Sequence, residues 1–163
     1  DVPYILHKFA KRLTSYDYIV VDCPPSTQMI TQNAIIAANQ IFVPIVQDRF
    51  SMSGLIKFIE TIEKINHFSK GHMDKEPGTI RILSNKLDNR LKLGKHLLEK
   101  IKEKYPEMVL ETSIPTNSSI MNAQIAGMSV LEFSPTCKAS KSLMELLKEI
   151  NITKKTTKKK KAV

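Results

Sequence analysis

Cysteine is scarce in this sequence. Cys23 and Cys137 are the only two among 163 residues, and no Cys-x-x-Cys pair occurs. A disulfide framework and a structural zinc site both need more than that. The histidines, His7, His67, His72 and His96, share no ligand spacing on one face, which argues against a histidine metal centre. So few thiols suit a reducing, cytoplasmic setting. No run approaches the roughly 20 apolar residues that cross a membrane. The opening Asp1-Val2-Pro3-Tyr4 lacks the basic-then-apolar pattern of a secretory leader. Position 1 is not methionine, a first hint of a fragment. Glycine is thin and scattered: Gly54, Gly71, Gly78, Gly94 and Gly127 begin no Gly-x-x-x-x-Gly-Lys loop. No internal repeat is evident.

What is present is ordinary globular material with a lopsided charge. Apolar residues make up 42% and charged residues 25%, enough for one domain with one core. The net charge is +9, and residues 151–163 hold six lysines and no acid, leaving +3 for residues 1–150. The division expected is one globular domain over 1–150 and a basic, disordered tail over 151–163. Such a tail can hold nucleic acid or an anionic membrane by charge alone, or simply be solvated.

The hydrophobic period switches between helix and strand. Ile5, Leu6, Phe9 and Leu13 follow helical spacing, with Pro3 suited to a first turn. Tyr18-Ile19-Val20-Val21 is a short apolar run of the kind buried on both faces in parallel sheets, ended by Pro24-Pro25. Ile41 to Val46 is a second strand, and its Pro44 counts against a central position, leaving an edge or a strand break. Leu55, Phe58, Ile59, Ile62 and Ile65 mark an amphipathic helix. Thr79 to Leu83 is a third strand. Leu91, Leu97, Leu98 and Ile101 mark another helix. Met108 to Ile114 is a fourth strand. Asn117 or Ser118 caps a short helix reaching Ala126, stopped by Gly127. Leu143, Leu146, Leu147 and Ile150 give the last helix. This alternation predicts an α/β fold, a mostly parallel sheet flanked by helices. In such sheets function sits beyond the carboxyl ends of the strands, here just after Val21, Val46, Leu83 and Ile114.

The sharpest string is Tyr16-Asp17-Tyr18-Ile19-Val20-Val21-Asp22-Cys23-Pro24-Pro25-Ser26. An apolar strand delivers Asp22 to its carboxyl end, where a carboxylate can hold Mg²⁺ through water. Paired prolines stiffen the next turn, as a nucleotide-sensing switch requires. The plainer reading of Asp22 is a turn cap.

This string resembles the Walker B and switch II segment of the ParA/MinD (Soj-like) partition ATPases. Other stretches resemble the family in order. They are Asn33-Ala34 through Ala37-Ala38, Phe42-Val43-Pro44-Ile45, Phe50 to Leu55, Ser113-Ile114-Pro115-Thr116-Asn117, and Gly127 to Pro135. The similarity runs from about Tyr4 to Ile150 and corresponds to the C-terminal two-thirds of the family, a P-loop NTPase-like fold with a deviant Walker loop. Its N-terminal strand–phosphate-loop–helix unit is missing here. The resemblance implies ATP and Mg²⁺ as cofactors and Asp22 as the Walker B carboxylate. It makes Pro24 and Pro25 switch II, and Asn85, Pro115 and Asn117 the adenine pocket. Asn85 is otherwise a turn residue. The resemblance further implies an ATP-dependent homodimer in plasmid or chromosome partition, with non-specific DNA, a ParB-like stimulating partner and a nucleoid- or plasmid-associated location. Arg90, Lys92, Lys95, Lys138 and Lys141 are the expected DNA contacts, although acids interleaved on that helix also suit a plain solvated face.

The departures matter. The phosphate loop and its lysines are absent, so developing phosphoryl charge has no stabiliser and this chain alone is not expected to hydrolyse ATP. Gln28 replaces a customary glycine, and Ser119 and Asn122 replace an arginine and a glutamate. Two other readings stand beside the partition ATPase. One is an ATPase-dead binding module that keeps the dimer or partner surface. The other is a MinD-like membrane regulator, disfavoured because the lysine tail has no apolar face.

Overall fold

The computed structural model describes residues 4–24, 26, 28–46, 52–70, 76–87 and 92–151. Three parallel strands form its sheet in the order β1 (Gln40–Val46), β2 (Thr79–Leu87), β3 (Val109–Pro115). Seven helices accompany them among the described residues: α1 (Ile5–Ala10), α2 (Met29–Ala37), α3 (Met52–Lys70), α4 (Lys92–Lys104), α5 (Ser118–Ile125), α6 (Val130–Phe133) and α7 (Lys138–Glu149).

The strands form where β-branched residues alternate into a core. On one face Ile80 and Ile82 of β2 and Val43 and Ile45 of β1 meet the buried stripe Leu55, Ile59 and Ile62 of α3. Ile101 of α4 joins the same core, with Leu97 and Leu98 packed against it. On the opposite face Leu110 and Ile114 of β3 meet Leu146 and Ile150, flanked by Leu83, Ile120, Leu143 and Leu147. The sheet is therefore covered from both sides, α3 and α4 on one and α5 and α7 on the other, as parallel sheets require. Fully burying one such aliphatic side chain contributes roughly 1.5–3 kcal/mol.

Pro44 is explained by hydrogen-bond phase. The Thr79 amide donates to the Asn39 carbonyl at 3.0 Å, and Gln40 is in register with Thr79. By the alternation of a parallel ladder, residues 41, 43 and 45 then bond toward β2, and 40, 42, 44 and 46 point to the free edge. Pro44 lacks its N–H on the side where no described strand needs it. Close approach explains Gly78. A Cβ there would lie 2.7 Å from the Ala38 carbonyl oxygen, so the start of β2 tolerates only glycine without movement.

One expected strand is not formed. Tyr18–Val21 carries no strand, and Val20 is 91% exposed. An apolar run becomes a strand only when another backbone completes its ladder, and no described strand pairs with this one. The sheet thus has three described strands where four were expected. The short helix α6 was not anticipated. It is stabilised by a capping box in which Ser129 accepts from the Glu132 amide and Glu132 accepts from the Ser129 amide. Asn117, not Ser118, caps α5.

Candidate functional site

The carboxyl ends of β2 and β3 are knitted together by main-chain and side-chain bonds. The Thr116 amide donates to the Leu87 carbonyl at 3.1 Å, and the Thr116 hydroxyl donates to the Lys86 carbonyl at 3.1 Å. Leu87 and Pro115 are register partners. Asn85, Pro115 and Asn117, all half-buried, are therefore brought to one rim. Thr116 was not singled out from sequence, although it lies between Pro115 and Asn117. Its role depends on the strand register, which spacing alone does not report.

Both asparagines are held in place. Asn85 Oδ1 accepts from the Lys86 amide at 2.9 Å, where Lys86 adopts a left-handed φ of 53°. Asn117 Oδ1 accepts from the Ser119 amide at 2.8 Å and caps α5. Each oxygen thus serves the local backbone, and the Nδ2 group of each side chain is a hydrogen-bond donor.

Asp22 is exposed, in the segment that leads to Pro24. The Ser26 amide donates to the Pro24 carbonyl at 2.7 Å, closing a tight turn. Ser26 Oγ and Thr31 Oγ1 hydrogen-bond at 3.3 Å, joining this loop to the first turn of α2, where Thr31 is buried. Pro25 lies outside the described residues. Among the described residues no group of three or more His, Cys, Asp or Glu could hold a metal. A single carboxylate such as Asp22 fits only a magnesium ion that keeps most of its water and takes its other ligands from phosphate.

The basic residues divide between layers. Lys95 is exposed in the first half of α4, and Lys138 and Lys141 are exposed at the start of α7. These helices cover opposite faces of the sheet. Arg90 lies outside the described residues, as does the side chain of Lys92.

Two further groups have shifted acidities. Cys137 caps α7, with its sulfur accepting from the Ser140 amide at 3.4 Å and lying 3.3 Å from Ser140 Oγ. The Ser140 side chain, then its backbone, bring the thiol down to about 7. Ser140 is fully buried, and its hydroxyl lies 2.7 Å from the Ser134 carbonyl and 3.0 Å from that of Val130, tying α6 to α7. Glu149 braces β3: its two carboxylate oxygens accept from the Glu111 amide at 2.7 Å and the Thr112 amide at 2.9 Å. Partial burial pushes the Glu149 pKa up, but the bonds from Thr112 and Glu111 and the charge of Arg81 outweigh this and hold it below the usual carboxylate range. The brace coincides with an irregular register, in which Ile82 to Ser84 of β2 is matched by Val109 to Ser113 of β3. No sequence signal marks Glu149 for this role.

The AAA domain family model matches residues 3–75. The chain is 27% identical over 136 residues to the sporulation initiation inhibitor protein Soj of Bacillus subtilis, covering 83% of this chain and 52% of that protein. It is 26% identical over 147 residues to the chromosome-partitioning ATPase Soj of Treponema pallidum, covering 90% and 56%. The chain spans about half the length of these curated relatives. Among solved structures, the cell division ATPase MinD of Pyrococcus furiosus superposes with a TM-score of 0.65 at 19% identity, covering 92% of this chain and 58% of that one. The septum site-determining protein MinD of Pyrococcus horikoshii, complexed with Mg-ADP, gives 0.63 at 17%, covering 91% and 56%. At these identities the structural likeness shows a shared P-loop NTPase-like fold.

Proposed function

We propose that the chain belongs to the ParA/MinD family of partitioning ATPases and is part of an ATP-dependent DNA-partitioning switch. In this reading Asp22 holds the hydrated Mg²⁺, and Asn85, Pro115 and Asn117 contact the adenine. Pro24 and Pro25 form the moving turn, and Lys95, Lys138 and Lys141, with Arg90 and Lys92, contact DNA phosphates. The whole protein dimerises with ATP and responds to a ParB-like partner.

The observation that carries the reading is the bonded rim at the ends of β2 and β3. It gathers two asparagine amides and a proline ring beyond parallel strands, where α/β sheets bind ligands. Their Nδ2 donors suit the acceptor nitrogens of a purine, and the Pro115 ring offers an apolar wall. Asp22 suits magnesium only in company with phosphates. ATP, when bound, supplies the anhydride whose cleavage would drive the switch. The chain's own part is to orient the base, hold one side of the metal's hydration shell and pass a change at Pro24–Ser26 to α2 through Thr31. It contributes no glycine-rich loop to the phosphates, so hydrolysis needs groups that residues 1–163 do not carry.

The test is the DNA immediately upstream of the Asp1 codon. An open frame encoding a glycine-rich loop with its lysines is the expected result, and purified protein from that frame should turn over ATP. A stop codon followed by a start near Asp1 overturns the ATPase reading and leaves a nucleotide-independent binding module.

A further inference from the structure

We propose that the rim formed by Asn85, Pro115 and Asn117 reads its base through hydrogen-bond donors, and so takes 6-oxopurine nucleotides, those of guanine and hypoxanthine, at least as well as adenine nucleotides. This rests on the reading above that the rim holds a purine, and goes beyond it in naming the bases that fit.

An asparagine selects adenine by using both ends of its amide, the oxygen accepting from N6 and the amino group donating to N7. That mode needs a free oxygen. Asn85 Oδ1 already accepts from the Lys86 amide at 2.9 Å, and Asn117 Oδ1 from the Ser119 amide at 2.8 Å. Both bonds are set by local backbone. Lys86 holds a left-handed φ of 53°, and Asn117 is the N-cap of α5. In a planar amide the amino group lies across Cγ from the oxygen. Each side chain therefore turns its oxygen to its own backbone and its Nδ2, with two donors, the other way.

The main chain adds to the same bias. The carbonyls of Lys86 and Leu87, at the end of β2, accept from the Thr116 hydroxyl and the Thr116 amide, each at 3.1 Å. Acceptors at this rim are thus engaged by the protein itself, while the asparagine donors face a ligand. The two kinds of purine answer this differently. Beside N7, adenine carries an amino donor, whereas a 6-oxopurine carries a second acceptor, O6. Against two donors, N7 and O6 can both be paired. The adenine N6 group meets a donor instead of an acceptor, and a polar group removed from water without a partner costs affinity. The Pro115 ring offers an apolar wall that does not distinguish the two.

The experiment is titration of the isotope-labelled full chain with inosine and with adenosine, followed by NMR through the side-chain amide signals of Asn85 and Asn117. Nucleosides carry no phosphate, so the lysines of the chain do not blur the comparison. Inosine should bind at least as tightly as adenosine, and by about fivefold more if both acceptors are paired, the low end for a bidentate base contact. Asn85→Asp and Asn117→Asp keep the oxygen that the backbone amide needs, and aspartate caps a helix as asparagine does. They remove only the donors. Each should weaken inosine by about fivefold or more and leave adenosine unchanged or tighter. Tighter binding of adenosine than of inosine by the parent overturns the inference and leaves the purine reading standing. So does an equal loss of both nucleosides in the aspartate variants, which would make the asparagines structural, or unchanged inosine binding in both. Binding of neither nucleoside overturns the purine reading, and the inference with it.

Discussion

At the residue scale the chemistry is set by what each side chain touches within its first few neighbours. Asn85 and Asn117 use their oxygens on backbone amides, which fixes the direction of their remaining donors. Cys137 shows the same logic in a thiol. Its sulfur sits at the amino end of α7 against Ser140, and the thiol falls to about 7. Alkylation of Cys137 should therefore follow a titration with midpoint about 7, read by mass spectrometry of the labelled peptide. Ser140→Ala removes the largest cause of the shift and should move the midpoint upward. A midpoint unchanged by that substitution would refute the assignment of cause.

At the scale of elements, strands and helices are joined by a small number of bonds between distant parts of the sequence. The Glu149 brace links α7 to β3 where the β2–β3 register slips. Glu149→Gln should cost about 1 kcal/mol of stability at neutral pH. That is below the usual range for charge-assisted bonds, because the group is only half-buried and solvent screens it, and because glutamine keeps one acceptor oxygen. The sign follows from the lowered folded-state pKa. The carboxylate's stabilisation is fully present above its unfolded value of 4.5 and is lost as pH falls through the lower folded value. The urea midpoints of parent and variant should differ at neutral pH and converge in acid. A constant difference at all pH values would show that packing, not the carboxylate, sets the effect.

At the scale of the whole molecule, the sheet has two faces covered, and neither of its edge strands, β1 and β3, pairs with a further strand among the described residues. Beside that arrangement the run Tyr18–Val21 stands unpaired, with Val20 almost wholly exposed. Val20→Lys should therefore change the unfolding free energy of the 163-residue chain by less than about 0.5 kcal/mol, as surface substitutions do. A loss of several kcal/mol by denaturant titration would mean that the run is buried in a strand. The two helices carrying Lys95 and Lys138 cover opposite faces, so DNA contact through both would have to span the thickness of the fold.

Local patterns in the sequence were sufficient for much of this. The β-branched runs at Ile41–Val46, Thr79–Leu83 and Met108–Ile114 and the 3–4 spacing of Leu55, Ile59 and Ile62 reported elements correctly, because burial on a face imposes a period that a single chain displays. The capping of α5 was legible for the same reason: an N-cap asparagine acts on an amide two residues away. The string around Asp22 also carried the resemblance to the partition ATPases, since it is specific in order and composition. Pairing could only be decided in three dimensions. Tyr18–Val21 has the composition of a strand, but a strand exists through a second backbone, and composition does not say whether one is there. Pro44 read as an edge residue or a strand break, and the ladder phase then supplied the reason for the edge. Thr116 and Glu149 act through register and through contacts 30 or more positions apart, which no local pattern encodes. The sequence by itself determined most of the elements, the charge and the family resemblance; the tertiary structure decided which of those elements meet, because hydrogen-bond partners across a sheet are chosen by space and not by neighbourhood in the chain.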